Sequence, residues 1–239
     1  MAQFPATRHS VLAAIRSDDG DVRRVAFDVL VTAYWKPVFK YVRLKWSAPP
    51  DDAADLTQAF FLRAYEKEFF EGFDPARARF RTYLRTCLDG FVANARKAES
   101  RLKRGGGVTL VSIDFEEAER ELSQHAHNAI DDFDVYFHRE WLRSLFAVAA
   151  ARLRDGCAGR GRPERFSLFD AYDLAGDEAA RPTYAELARR FGLSAADVTN
   201  ELAAARREFR RLVLDALREQ CASDEEFEAE SRALTGGSG

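Results

Sequence analysis

The chain has 239 residues, a formal net charge of -3, 46% hydrophobic and 31% charged residues, a balance that fits one large or two small folded domains and excludes wholesale disorder. No apolar run approaches the ~20 residues that span a bilayer, and the opening "MAQFPATRHSVLAAIRSDD" does not read as a signal peptide. A reducing cytoplasm is the expected compartment.

Periodicity is helical along the chain, with no useful stretch alternating at period two. The first helix is expected over Ser10–Arg16. A long one follows Asp21, carrying Val25, Val29, Tyr34, Val38, Tyr41 and Val42, with Pro37 as its candidate kink. "APPDD" breaks the chain, and Asp51 or Asp52 supplies a cap for a helix from Ala53 to about Phe69. In "EGFDPA", Pro75 suits the first turn of a helix running from about Ala76 to Lys103 and stopping at "RGGG". From Gly105 to Asp134 eight acidic residues face only Arg120, which reads as a glycine hinge and an acidic tether with room for one short helix. A second helical unit spans about Val135–Gln220. The expected fold is all-α: two helical domains, 1–104 and 135–222, joined by an acidic flexible linker, 105–134, and followed by an acidic tail, 223–239.

Cys87, Cys157 and Cys221 are odd in number and far apart, so neither a disulfide framework nor a zinc knuckle is expected. His125 and His127 lie in a polar stretch without a third ligand. No metal site and no cofactor follow from the sequence.

Two constellations carry chemistry. Arg77, Arg79, Arg81, Arg85, Arg96, Lys97, Arg101, Lys103 and Arg104 are opposed along their helix only by Asp89 and Glu99, with Phe80, Tyr83 and Phe91 among them. Clustered cations neutralise phosphates and aromatic faces stack on unpaired bases; a solvated basic face is the competing reading, and Leu84 and Phe91 belong to the core. Farther on, Thr183 and Glu186 form a capping box, Gly192 permits a tight turn, and Ser194 caps the next helix. Leu187, Phe191, Leu193, Val198 and Leu202 are its small core. This order is that of a helix-turn-helix, against a plain helical hairpin. Arg206, Arg207, Arg210 and Arg211 lie beside the apolar seam of the long second helix, where they could meet phosphates.

Together these stretches resemble a bacterial sigma factor of the extracytoplasmic-function class in the sigma-70 family. "DDAADLTQAFFLRAY" is similar to the family's "DLTQ-x-x-F" helix in region two, and "FDPARARFRTYLRTCLDGFVANARK" to the promoter-binding helix that follows. "TYAELARRFGLSAADV" resembles region four, and "REQCASDEEFEAESRAL" the acidic tail of an extended subgroup. The resemblance implies a non-enzymatic subunit that directs core RNA polymerase to promoters and opens the strands. It maps Asp55, Gln58, Phe61 and Leu62 to the helix that docks on the polymerase clamp, with Phe61 as a core residue. Phe73, Arg77, Arg79, Phe80 and Tyr83 map to capture of the flipped non-template base. Arg81, Arg85, Asn94, Arg96 and Lys97 map to the helix that follows promoter DNA. Ser194, Thr199, Asn200, Arg206, Arg207 and Arg210 map to minus-thirty-five contacts. The implied partners are the polymerase clamp and flap, promoter DNA, and an anti-sigma factor or other regulator, with no membrane.

Two positions depart from the family pattern: Ala59 stands where glutamate is common, and the recognition helix reads "VTNELAAARRE", with Glu201 and three alanines. A stand-alone helix-turn-helix regulator and a protein-binding helical adaptor are the competing readings. In the tail, Asp224, Glu225, Glu226, Glu228 and Glu230 would fold back over the arginines of the preceding helix, with Phe227 and Leu234 as apolar anchors; a solvated, frayed terminus is the alternative.

Overall fold

The computed structural model describes residues 11–66, 69–70, 72–99, 113–125, 132–175 and 181–235, and among these there is no β-strand. The chain divides into two compact units, Met1–Ser144 with Leu217–Gly239, and Leu145–Ala216.

The first unit is built on α2 (Gly20–Lys45), with α1 (Val11–Ile15), α3 (Pro50–Glu66), α4 (Phe80–Glu99) and α5 (Phe115–His125) around it. Asp19 starts α2 by accepting from the backbone amides of Asp21 and Val22 at 2.9 and 3.3 Å. Unlike an ordinary surface helix, α2 is buried on several sides: Phe27, Leu30, Val31, Tyr34, Val38, Phe39, Tyr41 and Val42 are all sequestered. A helix that is apolar nearly all round belongs in the middle of a bundle. Pro37 does not end it. The helix continues to Lys45, and packing on every side holds a backbone that has lost one intrahelical hydrogen bond.

Between α3 and α4 the backbone turns under an aromatic cluster of Phe27, Phe60, Phe61, Phe69, Phe70, Phe73, Phe80 and Tyr83, with several edge-on contacts, Phe70 stacked on Phe80, and Tyr83 tilted against its neighbours. Arg16 closes the turn from α1, donating to the carbonyls of Phe70 and, at 3.2 Å, Phe73. The sequence places the start of α4 at Ala76; it lies at Phe80. Asp74 is the reason: its carboxylate accepts from the Ala76 amide at 3.0 Å and its carbonyl from Arg77. This local turn competes with helix.

The acidic segment contains α5, capped by Asp114, whose carboxylate accepts from the Glu117 amide at 2.9 Å. The helix lies on α2 through matched charges. Lys36 meets Glu117 and Glu121 at 3.6 and 2.7 Å, Lys40 meets Glu121 at 2.7 Å, and Arg43 meets Glu119. Arg43 holds the Glu119 carboxyl below its ordinary value. Burial pushes Glu121 up, but hydrogen bonds from Lys36 and Lys40 override it and hold that carboxyl low as well. Their stabilisation is therefore present above the unfolded carboxylate range and is lost as pH falls through the lowered folded values. The start of α6 (Phe133–Gly159) completes the arrangement: Glu140, 2% exposed, meets Lys40, 3% exposed, at 2.7 Å.

The second unit comprises the rest of α6, α7 (Pro163–Phe169), a π-helical turn (Asp170–Leu174), α8 (Tyr184–Phe191) and α9 (Ala195–Gln220) up to Ala216. Leu168, Leu187, Val198 and Leu202 form one core, flanked by Tyr172, Tyr184, Ala188, Phe191 and Leu193. Leu153, Cys157, Phe169 and Ala205 form another. Thr183 and Glu186 cap α8 reciprocally. Gly192, at φ 66°, adopts the left-handed conformation that lets its amide close the helix on Ala188. Ser194 and Asp197 then form a second reciprocal cap, with Asp197 N–H to Ser194 Oγ at 3.1 Å and Ser194 N–H to Asp197 Oδ2 at 3.3 Å.

Beyond α9 the chain returns to the first unit as α10 (Asp224–Thr235).

Candidate nucleic-acid interface

On α4, Phe80, Leu84, Leu88 and Val92 recur every fourth residue and are buried, so the opposite face, with Thr82, Thr86, Gly90, Asn94 and Lys97, meets solvent. The cations are not free on that face. Arg85 turns sideways to Tyr41 Oη, Asp89 and Asp134 at 3.2, 3.1 and 3.0 Å. Asp89 also receives Lys45 at 2.8 Å and Trp46 Nε1 at 3.3 Å. Arg96 lies 5.3 Å over the Trp46 ring and donates to its carbonyl, while its side chain remains exposed. Asn94 and Lys97 are exposed beside it. Arg101, Lys103 and Arg104 lie outside the described residues.

The start of α4 differs most from expectation. Phe73 and Phe80, mapped to base capture, are core side chains: Phe80 is 1% exposed, held by Tyr34, Phe70 and Phe73. Neither ring offers a face to a base in this conformation. Tyr83 is half-buried, its hydroxyl donating to the Phe69 carbonyl at 2.7 Å, and burial pushes that hydroxyl up to about 12. Arg77 is exposed. Arg79 and Arg81 converge on one carboxylate, that of Glu230 in α10. Arg81 also lies 4.9 Å over the Trp141 ring, which Gln220 fixes through a 2.6 Å bond from Nε1. The tail thus covers arginines of α4. Its expected targets, Arg206, Arg207, Arg210 and Arg211, belong to the other unit, and the described ion pairs of α10 go to Arg79, Arg81 and Arg218.

On α3 the residues Asp51, Asp55, Ala59 and Arg63 form an exposed stripe at intervals of four, with Gln58 and Leu62 half-exposed at its edge. Phe61 points inward, 1% exposed, edge-on to Phe27 and Phe60. It positions the helix, while Asp55, Gln58 and Leu62 remain at the surface.

On α9 the six expected residues fall into two groups. The Ser194 hydroxyl is committed to Asp197 at 2.6 Å and that of Thr199 to the Ala195 carbonyl at 2.9 Å. Arg206 is clamped by Asp173 at 2.9 Å and lies 5.3 Å over Tyr172. Asn200, Arg207 and Arg210 remain exposed along one face, at steps of seven and three. Glu201, which would repel a phosphate from the DNA side, is instead held by Arg165 and Arg162, and Arg165 keeps its carboxyl below the ordinary value.

The partners of the basic helix were missed in the sequence. On α2, Lys36, Lys40 and Arg43 against Glu117, Glu121 and Glu119 of α5 is a spacing match at helical intervals that charge patterning can reveal. Nothing local marks Glu226 and Glu230 as partners of a helix about 150 positions earlier.

No curated protein and no solved structure matches the chain. Residues 30–102, which run from the middle of α2 through α3 and α4, match the model for Sigma-70 region 2. The match covers under half of the chain, and over that segment the chain is similar to Sigma-70 region 2.

Proposed function

We propose that the protein is a sigma factor of the extracytoplasmic-function class: a cytoplasmic, non-enzymatic subunit that binds core RNA polymerase, selects promoters and opens the strands. The observation that carries this reading is the Sigma-70 region 2 match over residues 30–102. In this reading 1–104 is region two, 105–134 the linker, 135–222 region four with its helix-turn-helix, and 223–239 the tail that defines an extended subgroup. Asp55, Gln58 and Leu62 face the polymerase clamp. Arg77, Arg79, Arg81, Asn94, Arg96 and Lys97 serve the minus-ten strand, and Asn200 with Arg207 and Arg210 meets upstream DNA.

Binding to core polymerase tests the reading. A polar group left without its partner in a desolvated contact costs about 1–3 kcal/mol, so Asp55→Ala with Gln58→Ala should weaken core binding by roughly tenfold or more, with circular dichroism unchanged. Undiminished binding by the folded variant would move the docking surface off α3.

Upstream contacts are tested by salt. Arg207 and Arg210 are suited to phosphates, whereas Asn200 has the bidentate amide that reads adenine in the major groove. Arg207→Ala with Arg210→Ala should weaken duplex binding across sequences and flatten the salt dependence by about 0.9 per lost contact. An unchanged slope places both arginines away from DNA.

A further inference from the structure

The α10 helix occupies the part of α4 that the proposed function assigns to DNA. Glu230, 2% exposed, accepts from Arg79 at 2.7 Å and from Arg81. One turn earlier Glu226 accepts from the backbone amide of Phe80, the first residue of α4, at 3.3 Å. The two carboxylates thus take up two guanidinium groups and an amide at a helix N-terminus, which are the donors that bind phosphodiester oxygens. Glu226 is itself set by Ser223 Oγ, which accepts from its amide at 3.2 Å, and by the Ala222 amide, which donates to its carboxylate at 2.8 Å. The acidic pair is therefore positioned by its own helix start.

Little apolar contact holds α10 in place: Phe227 is half-buried under Arg218 at 4.7 Å, and Ala229 and Leu234 are half-buried. Asp224, Glu225 and Glu228 face solvent. Arg79 is 48% exposed on its side chain, so half of the ion-pair cluster is open to screening. Elements held by few buried apolar contacts and by solvent-accessible polar ones open at low free-energy cost. The buried residues beneath, Cys221 and Trp141, belong to the end of α9 and the start of α6 and not to α10 itself.

We propose that α10 is an autoinhibitory latch: Glu226 and Glu230 stand in for DNA phosphates on Arg79, Arg81 and the start of α4, and single-stranded DNA and the tail exclude each other there. The inference rests on the strand-binding reading of α4. Closed latch lowers apparent affinity by the fraction of molecules that are open. The polyanion gains as the acidic helix leaves.

The test uses a fluorescein-labelled single-stranded oligodeoxynucleotide, read by anisotropy at low and moderate salt, with the full-length chain, Glu226→Gln/Glu230→Gln, and a chain ending at Gln220. Amide exchange over residues 224–234 reports latch opening independently of DNA. The double variant should exchange faster there and bind DNA about tenfold more tightly at low salt, the gain shrinking as salt screens the closed latch. Adding Arg79→Ala and Arg81→Ala to it should remove the gain, and saturating oligonucleotide should speed exchange of α10 in the unaltered chain. Equal, measurable binding by all three chains overturns the latch and leaves the strand-binding reading standing. No binding by any of them overturns both. The double substitution keeps the test valid where removal of the helix uncovers Cys221 and unfolds the unit.

Discussion

Phe80→Ala is expected to destabilise the first unit by about 3–5 kcal/mol, the range for removing a buried aromatic ring from a packed core. The ring is enclosed by Tyr34, Phe70, Phe73 and Tyr83, and its backbone amide starts α4. Its loss leaves a cavity under the turn that Arg16 closes, so the midpoint of urea unfolding should fall while the slope is retained. Tyr83→Phe provides the contrast. It removes only the hydroxyl bonded to the Phe69 carbonyl and should cost about 1 kcal/mol. A Phe80→Ala protein of near-native stability would place that ring at the surface and return it to base capture.

Lys40→Met should be almost as damaging, at about 3 kcal/mol, through charge and not volume. Lys40 and Glu140 form an ion pair away from water, and removing one member leaves the other buried without its counter-charge. Among the described residues, Glu140 would retain Arg143, which is half-exposed. Lys40→Met with Glu140→Leu should recover most of the loss, because an apolar pair of similar volume replaces buried ions at little net cost. Thermal unfolding of the two variants measures the difference. A double variant as unstable as the single one would mean that the site depends on packing around Lys40 and not on charge compensation.

How much of this was legible in the sequence depended on the range of the interaction. Helices declared themselves through local signals: the periodicity of α9, the Thr183–Glu186 cap and the left-handed Gly192 all act within a few residues. The start of α4 was displaced because Asp74 and Pro75 suit a helix cap and an Asx turn equally well, and Arg16, more than fifty positions away, favours the turn. The basic run on α4 was visible as charge, but its state was not. Periodicity shows that Arg81 and Arg85 stand on a helix; it does not show that Glu230 and Asp134 neutralise them. The aromatics misled for a related reason. Phe73 and Phe80 lie among arginines in sequence, yet burial of a phenyl ring is worth about 2–3 kcal/mol, and the α3–α4 turn folds both rings under itself. On α9, the resemblance maps Ser194 and Thr199 to minus-thirty-five contacts. Both hydroxyls are committed to their own helix, which leaves Asn200 as the exposed polar side chain of that first turn and a half.

Core-dependent transcription tests the central claim most directly. Core RNA polymerase with the full-length chain, on a library of genomic fragments, should yield run-off transcripts from a defined set of start sites. Those transcripts should disappear without the chain and fall sharply with Asp55→Ala/Gln58→Ala. Core binding with no start-site selection, or fragment binding by the chain alone with no polymerase-dependent transcript, would contradict the assignment as a sigma factor.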